Sequence, residues 1–226
     1  MTPRERILAA VRDGLLRAEL PGASDDRPAY RGLAWNPDGG SLVERFTRAL
    51  TALTGHVDEA VHPAAIADAI VRIAMLYHAT SYLSWDEQEL GCLDLVGLLG
   101  SRGLRRVTYD LPADPTTRDE AVRALEPVPL GLTGATAALA DCGALVLVSG
   151  PGRGRLASLL PPVHVALLNP NVLYPSLTAL LETRPDLVDR GSSMVIVAGP
   201  SRTADIEMTL THGVHGPKHV HVILTA

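Results

Sequence analysis

Two glycine-bearing turns carry arginine and hydroxyl side chains, the residue types that hold small anions. The first is Ser149-Gly150-Pro151-Gly152-Arg153-Gly154-Arg155-Leu156-Ala157-Ser158, after the apolar run Ala144 to Val148. Glycine lets the backbone approach a ligand closely and adopt positive φ, so successive N–H groups can converge on an anion. Arginine adds a bidentate contact to carboxylate or phosphate. Ser149, Gly150, Gly152, Arg155 and Ser158 are the candidate ligand contacts here. A Gly-Pro turn with solvated arginines accounts for the same residues. The dinucleotide fingerprint does not fit, because Gly154 arrives one residue early.

The second turn is Gly199-Pro200-Ser201-Arg202-Thr203-Ala204-Asp205-Ile206-Glu207. It follows the apolar Met194 to Val197 and reads as the opening of a helix over Thr203 to His212. A helix start after a parallel strand offers unpartnered N–H groups to an anion. Gly199, Pro200, Ser201, Arg202, Thr203 and Asp205 are candidate ligand contacts, and Glu207 is a candidate for proton chemistry. Helix capping explains Ser201, Thr203 and Asp205 without any ligand, but leaves the charge of Arg202 opposing the helix dipole.

A third segment runs from Thr133-Gly134-Ala135 to Asp141-Cys142-Gly143 and leads into an uncharged strand. Thr133 and Gly143 are candidate ligand contacts. Asp141 is a candidate acid or base, or the partner of a nearby arginine. A capping turn ending at Gly143 is the plain alternative. Cys142 reads as a small buried residue. His164, after the rigid Pro161-Pro162, is a candidate general base, and so is His215. His219 and His221 share one face of a strand, with His212 and His215 upstream. Their spacing matches no known metal-ligand pattern, so no metal is expected.

These residues need elements to position them. Ser41 and Glu44 predict a capping box opening a helix to about Thr54. Helices are expected over Pro63 to His78, from Asp86 to about Gly100, over Thr116 to Leu125 and over Asn171 to Glu182. Ala79 to Trp85, Arg105 to Leu111, Val128 to Leu132, Gly143 to Ser149, Val163 to Leu168, Ser193 to Ala198 and His219 to Leu224 read as strands. Apolar strands alternating with helices predict an α/β fold with a largely parallel sheet covered on both faces. Upstream, Ile7, Val11 and Leu15 mark an amphipathic helix. Seven prolines and glycines between Pro21 and Gly40 mark an extended connector. The expected division is residues 1–40, helix and connector, and 41–226, the main domain. The helix can pack on its own domain or on a partner.

Composition narrows the function. The 226 residues are 46% hydrophobic and 20% charged, enough for a sizeable core. A net charge of −5 and 4% aromatics give no footprint for nucleic acid. Two cysteines cannot supply a four-thiolate iron–sulfur or zinc site. Of 20 basic residues only Lys218 is a lysine, which excludes a P-loop and leaves a single Schiff-base candidate. No flavin or nicotinamide motif is present. No signal-peptide h-region and no membrane-spanning apolar run is found, so a cytoplasmic protein is expected.

Taken in order, Gly131-Leu132-Thr133-Gly134-Ala135, Ala140-Asp141-Cys142-Gly143, Ser149-Gly150-Pro151-Gly152, Arg155, Ser158 to His164, Gly199 to Glu207 and Gly213-Val214-His215-Gly216-Pro217 resemble the lactate utilization protein C family, the single-domain group of the LUD domain. The resemblance is strongest from residue 128 onward and looser over 41–127. It implies a three-layer α/β/α sandwich related to the sugar-phosphate isomerase and CoA-transferase folds. It also implies a part in oxidising L-lactate to pyruvate beside partner proteins that carry iron–sulfur clusters, with no cofactor in this chain. Cys142 departs from the Thr or Ser that the family often has between the acidic residue and the glycine. Three functions follow as expectations. One is a component that binds a small carboxylate or phosphorylated metabolite where the two arginine turns meet. Another is an assembly or regulatory subunit without turnover. The last is a stand-alone isomerase or transferase for a phosphorylated or CoA-linked substrate.

Overall fold

The computed structural model describes residues 3–17, 40–204, 210–212 and 216–225. By contacts the chain divides into residues 1–39 and 40–226. The first unit holds helix α1, Pro3–Arg17, with Glu5 in its first turn.

In the second unit, chain order is α2 (Leu42–Ala52), β1 (His56–Glu59), α3 (Pro63–Leu76), β2 (Ser81–Ser84), α4 (Leu95–Ser101), β3 (Arg105–Arg106), α5 (Pro115–Leu125), β4 (Leu130–Gly134), β5 (Ala137–Leu139) and β6 (Ala144–Ser149). Then come α6 (Leu156–Leu159), β7 (Val163–Leu168), β8 (Leu173–Tyr174), α7 (Leu177–Thr183), β9 (Ser193–Val197), β10 (Arg202–Ala204), β11 (Leu210–His212) and β12 (His219–Leu224). Polar starts fix several helices. The expected capping box forms at α2, with the Glu44 N–H donating to Ser41 Oγ at 3.2 Å and the Ser41 N–H to Glu44 Oε2 at 2.8 Å. Asp114 accepts from the Thr117 N–H at 3.0 Å to start α5, and that bond holds its carboxyl below the usual carboxylate range.

Six strands form one all-parallel sheet in the order β1-β12-β7-β4-β2-β3. Its inner strands β2, β4 and β7 are buried throughout, which is why they read as unbroken apolar runs. Paired residues share a face. Gly131, His164 and Val220 form one row, and a Cβ on Gly131 would run into the Ala157 carbonyl of α6. His56 and His221 form a row on the other face, against Tyr77 at the end of α3. Helical layers therefore cover both faces, giving the three-layer α/β/α arrangement. A smaller sheet, β8-β5-β6-β9, pairs β6 antiparallel to both β5 and β9.

Four expectations change. Thr203 to His212 is not helical where described: Arg202–Ala204 and Leu210–His212 pair as antiparallel strands. The helix expected from Asp86 is a 3-10 turn at Glu87–Glu89 and then α4, because Gly91 and Asp94 take left-handed φ of 70° and 59°. Asn171 to Glu182 splits at Pro175 into a 3-10 turn, β8 and α7. The strand from Arg105 keeps only two paired residues at the sheet edge.

Candidate functional site

Open α/β sheets bind ligands beyond the carboxyl ends of their strands. Here a cleft of about 270 Å³ opens at that edge beyond β2 and β3. Ser84, Asp86, Arg106 and Tyr109 line it together with Gly150, Gly152 and Gly154. Arg106 ends β3, and its guanidinium donates to Ser84 Oγ at 2.8 Å, to the Trp85 carbonyl at 3.1 Å and to Asp86 Oδ1 at 3.2 Å. Those bonds fix a planar, half-buried cation at the cleft wall.

The glycine turn forms the facing wall. The Asp86 N–H donates to the Gly152 carbonyl at 2.8 Å, and Trp85 Nε1 donates to the Gly154 carbonyl at 3.2 Å. Gly152 takes φ of 72°, a conformation other residues adopt at a cost. A Cβ on Gly154 would meet the Tyr109 hydroxyl, so the bare backbone lets that phenol lie along the turn. Arg153 ties the turn down through the Val148 carbonyl at 2.9 Å and Glu89 at 2.9 Å. Burial raises the Tyr109 pKa, Asp86 raises it further and Arg106 opposes the rise, so the phenol is a neutral hydrogen-bonding group.

Of the residues singled out from the sequence, Gly150 and Gly152 lie in this cleft. Ser149 is buried behind it, its carbonyl accepting from the Ser192 N–H. Arg155 is exposed at the start of α6, and Ser158 is buried with its hydroxyl on the Arg155 carbonyl. Thr133 and His164 are both 0% exposed and meet at 2.9 Å between Oγ1 and Nε2. Burial lowers the His164 pKa to about 4, so it is a neutral interior imidazole. Asp141 and Cys142 are exposed in the turn between β5 and β6, while Gly143 is buried there. Cys142 is therefore not the buried residue its neighbours suggested. Partial desolvation and then Asp141 push its thiol up to about 11, which disfavours the thiolate.

The two arginine turns do not share a mouth. β6 and β9 pair antiparallel from Leu145↔Val197 to Ser149↔Ser193, so the turns leave opposite ends of one ladder. Four steps of strand separate those ends by about 13 Å. The first turn is bonded to Asp86 at the carboxyl edge of the main sheet. The second lies at the amino edge, where the Ser201 N–H donates to the Pro217 carbonyl at 2.9 Å, beside the start of β12. Gly199 takes φ of 80° and Pro200 is buried there, while Arg202 and Thr203 lie in β10 rather than at a helix start. Asp205, Glu207 and His215 lie outside the described residues. His212 pairs with Arg202 in the small hairpin, and His219 and His221 share a face of β12. Among the described residues no group of three His, Cys, Asp or Glu side chains is arranged to hold a metal ion. No described helix is long and apolar enough to cross a membrane.

Ser84, Asp86, Arg106 and Tyr109 escaped the sequence reading. Position marks two of them, since Ser84 and Asp86 flank the end of the run that reads as a strand to Trp85, whereas Arg106 and Tyr109 fall inside the run from Arg105 to Leu111 and reach the edge only because the paired strand stops at Arg106.

Comparison with known proteins gives a consistent family signal. The LUD domain matches residues 43–225. A lactate utilization protein C from Halalkalibacterium halodurans is 32% identical over 66% of this chain and 64% of its own length. One from Exiguobacterium is 37% identical over 51% of this chain and 50% of its own. One from Bacillus pumilus is 26% identical over 95% of this chain and 92% of its own. The matched segments thus span about half to two thirds of the first two relatives and nearly all of the third. A crystal structure of a DUF162 family protein from Deinococcus radiodurans shares the fold, with TM-score 0.55 and 18% identity over 82% of this chain and 96% of that one.

Proposed function

This chain belongs to the LUD domain family, and from that membership we propose that it serves L-lactate utilization by binding a small carboxylate or phosphorylated metabolite in the carboxyl-edge cleft. The name of its relatives supports the pathway. The observation that carries the ligand class is Arg106. Its guanidinium is anchored by Ser84 and Asp86 and faces a wall of glycine backbone. Those partners and the Trp85 carbonyl occupy its Nε and Nη2 hydrogens, which leaves Nη1 to donate a charge-assisted bond to a carboxylate or phosphate oxygen. Tyr109 supplies a neutral hydroxyl for a hydroxyl or keto oxygen beside that carboxylate. Redox chemistry on lactate would fall to cytoplasmic partner proteins with iron–sulfur clusters, since two cysteines cannot hold such a cluster here.

Calorimetric titration of L-lactate, pyruvate and 3-phosphoglycerate tests the reading. One of them should bind saturably, and Arg106→Gln should weaken it by roughly tenfold to a hundredfold. Equal affinity in the two proteins removes Arg106 from the site. Arg155→Ala and Arg202→Ala, titrated alongside, ask whether the exposed arginine beside the first turn or the one in β10 contributes.

An assembly role is the second reading, favoured by the separate unit holding α1. It predicts that deleting residues 1–39 abolishes co-purification of iron–sulfur partners from cells grown on L-lactate. Undiminished co-purification sinks it.

A further inference from the structure

The main sheet and the small sheet β8-β5-β6-β9 have four outer edges between them, and three are blunted. β1 carries the exposed side chains of His56, Asp58 and Glu59. β3 and β8 offer two residues each, with Arg105 and Arg106 on the first and Pro175 directly after the second. Charge, short length and proline are the usual guards of an open edge. β9 has none of them. Its five residues, Ser193-Met194-Val195-Ile196-Val197, are uncharged and include no proline. Among the described residues no strand pairs with its outer side, and Ile196 is 41% exposed.

The ladder fixes which backbone groups of β9 point outward. The Thr136 N–H donates to the Val146 carbonyl at 3.0 Å, and the Val148 N–H donates to Thr136 Oγ1 at 3.2 Å, so Val146 and Val148 face β5. By alternation Leu145, Leu147 and Ser149 face β9, and the Ser149 carbonyl accepts from the Ser192 N–H at 3.0 Å. Leu147 pairs with Val195 and Leu145 with Val197. Val195 and Val197 therefore direct their N–H and C=O groups to β6, while those of Met194 and Ile196 point away from it. The side chains follow the same two-residue period. Met194 packs against the cluster of Val146, Val148, Leu180 and Leu187, Ile196 shares that face, and Val197 packs on the main core across the sheet.

We propose that β9 pairs antiparallel with β9 of a second copy of this chain, about a two-fold axis through Val195, joining the two four-stranded sheets into one. The edge is its own complement. Met194 of each copy stands opposite Ile196 of the other, and each such pair exchanges two N–H···O=C bonds, so every outward donor of Met194 and Ile196 meets an outward acceptor. Neither strand carries a formal charge, so the copies meet without like-charge repulsion. Each exposed Ile196 side chain comes to lie beside a Met194 that already belongs to an apolar cluster, which removes both from water. A five-residue edge makes a small interface, so the dimer is reversible and its population follows protein concentration. The pairing is independent of the carboxyl-edge reading, because β9 contributes no residue to that cleft.

Sedimentation equilibrium of the full chain tests it. The weight-average mass should rise from one chain toward two between about 1 μM and about 1 mM, the range of weak interfaces. Ile196→Lys puts a charge on the edge and should weaken the dimer at least roughly tenfold, with the urea midpoint of the monomer little changed because that side chain is already exposed. Val195→Cys in a Cys142→Ser background is the second measure, one that does not rely on a charged variant folding. Residues opposed on the axis form a pair without mutual hydrogen bonds, with Cα atoms about 4.5 Å apart and within disulfide reach. Mild oxidation should therefore give a covalent dimer, whereas Cys142→Ser alone keeps only the buried Cys92 and should remain one chain. A wild-type chain that stays monomeric at about 1 mM overturns the proposal. So does a dimer that Ile196→Lys leaves equally tight, or an oxidised Val195→Cys protein that cross-links no more than its Cys142→Ser parent.

Discussion

The same parallel strands present different chemistry at their two edges. At the carboxyl edge the cleft is built by loops: glycine backbone from the 150–154 turn faces one arginine whose charge is shared with Asp86. At the amino edge the strands themselves bring the side chains, with His56, His219 and His221 facing α3 and His164 on the opposite face. A loop-built wall is adjustable and depends on a few tethers, such as the Arg153 bond to Glu89. A strand-built cluster is fixed by the ladder and sensitive to packing and to protons.

That contrast can be broken in four ways. Gly131→Ala should cost about 3 kcal/mol, because the new Cβ meets the Ala157 carbonyl, which cannot rotate away. A urea midpoint unchanged from wild type would show that α6 is free to move. Acid should come next. Folded His164 titrates near 4, against 6.5 for an ordinary imidazole. Between those values the unfolded chain binds the extra proton, so stability is complete above pH 6.5 and falls as pH drops toward 4. The loss reaches about 3 kcal/mol for His164, and His221, also lowered to about 4, adds a loss of the same sign. Denaturation at pH 7 and pH 4.5 measures this, and His164→Leu should flatten the slope. An equal slope in that variant would place the acid sensitivity elsewhere.

Tyr77→Phe removes the hydroxyl on His221 Nε2 and should cost about 1 kcal/mol, read as a lower urea midpoint. No change would mean that water replaces the phenol at no cost. Arg153→Ala should cost under about 1 kcal/mol in stability, since its partner Glu89 is partly exposed. It should nevertheless weaken ligand binding at the carboxyl edge a few-fold by loosening the glycine turn. A stability loss as large as that of Gly131→Ala would show that the loop wall is as rigid as the sheet.

Much of the fold was legible because its signals are local. β7 and β12 have the bounds expected for them, since an apolar run between Pro162 and Asn169, or between Lys218 and Thr225, has few other uses in a parallel sheet. The Ser41–Glu44 box works across three residues and forms as its spacing demands. The errors fall where short segments are compatible with two structures. Arg202–Ala204 is held as a strand by Leu210–His212, a pairing that no helical period reveals. The helix expected after Asp86 is stopped by left-handed backbone at Gly91 and Asp94, and an aspartate gives less warning of that than a glycine.

The sequence by itself settled the fold class and the absence of a four-thiolate site, because both depend on composition and short-range pattern. The site was decided by tertiary structure. Arg106 reaches Ser84 because β3 pairs with β2, and His56 stacks on His221 because β1 pairs with β12. The separation of the two arginine turns follows from the antiparallel β6–β9 ladder, which sends the chain out at opposite ends. Strand partners are chosen by burial and backbone hydrogen bonding across long stretches of chain, and spacing along the sequence carries no record of that choice.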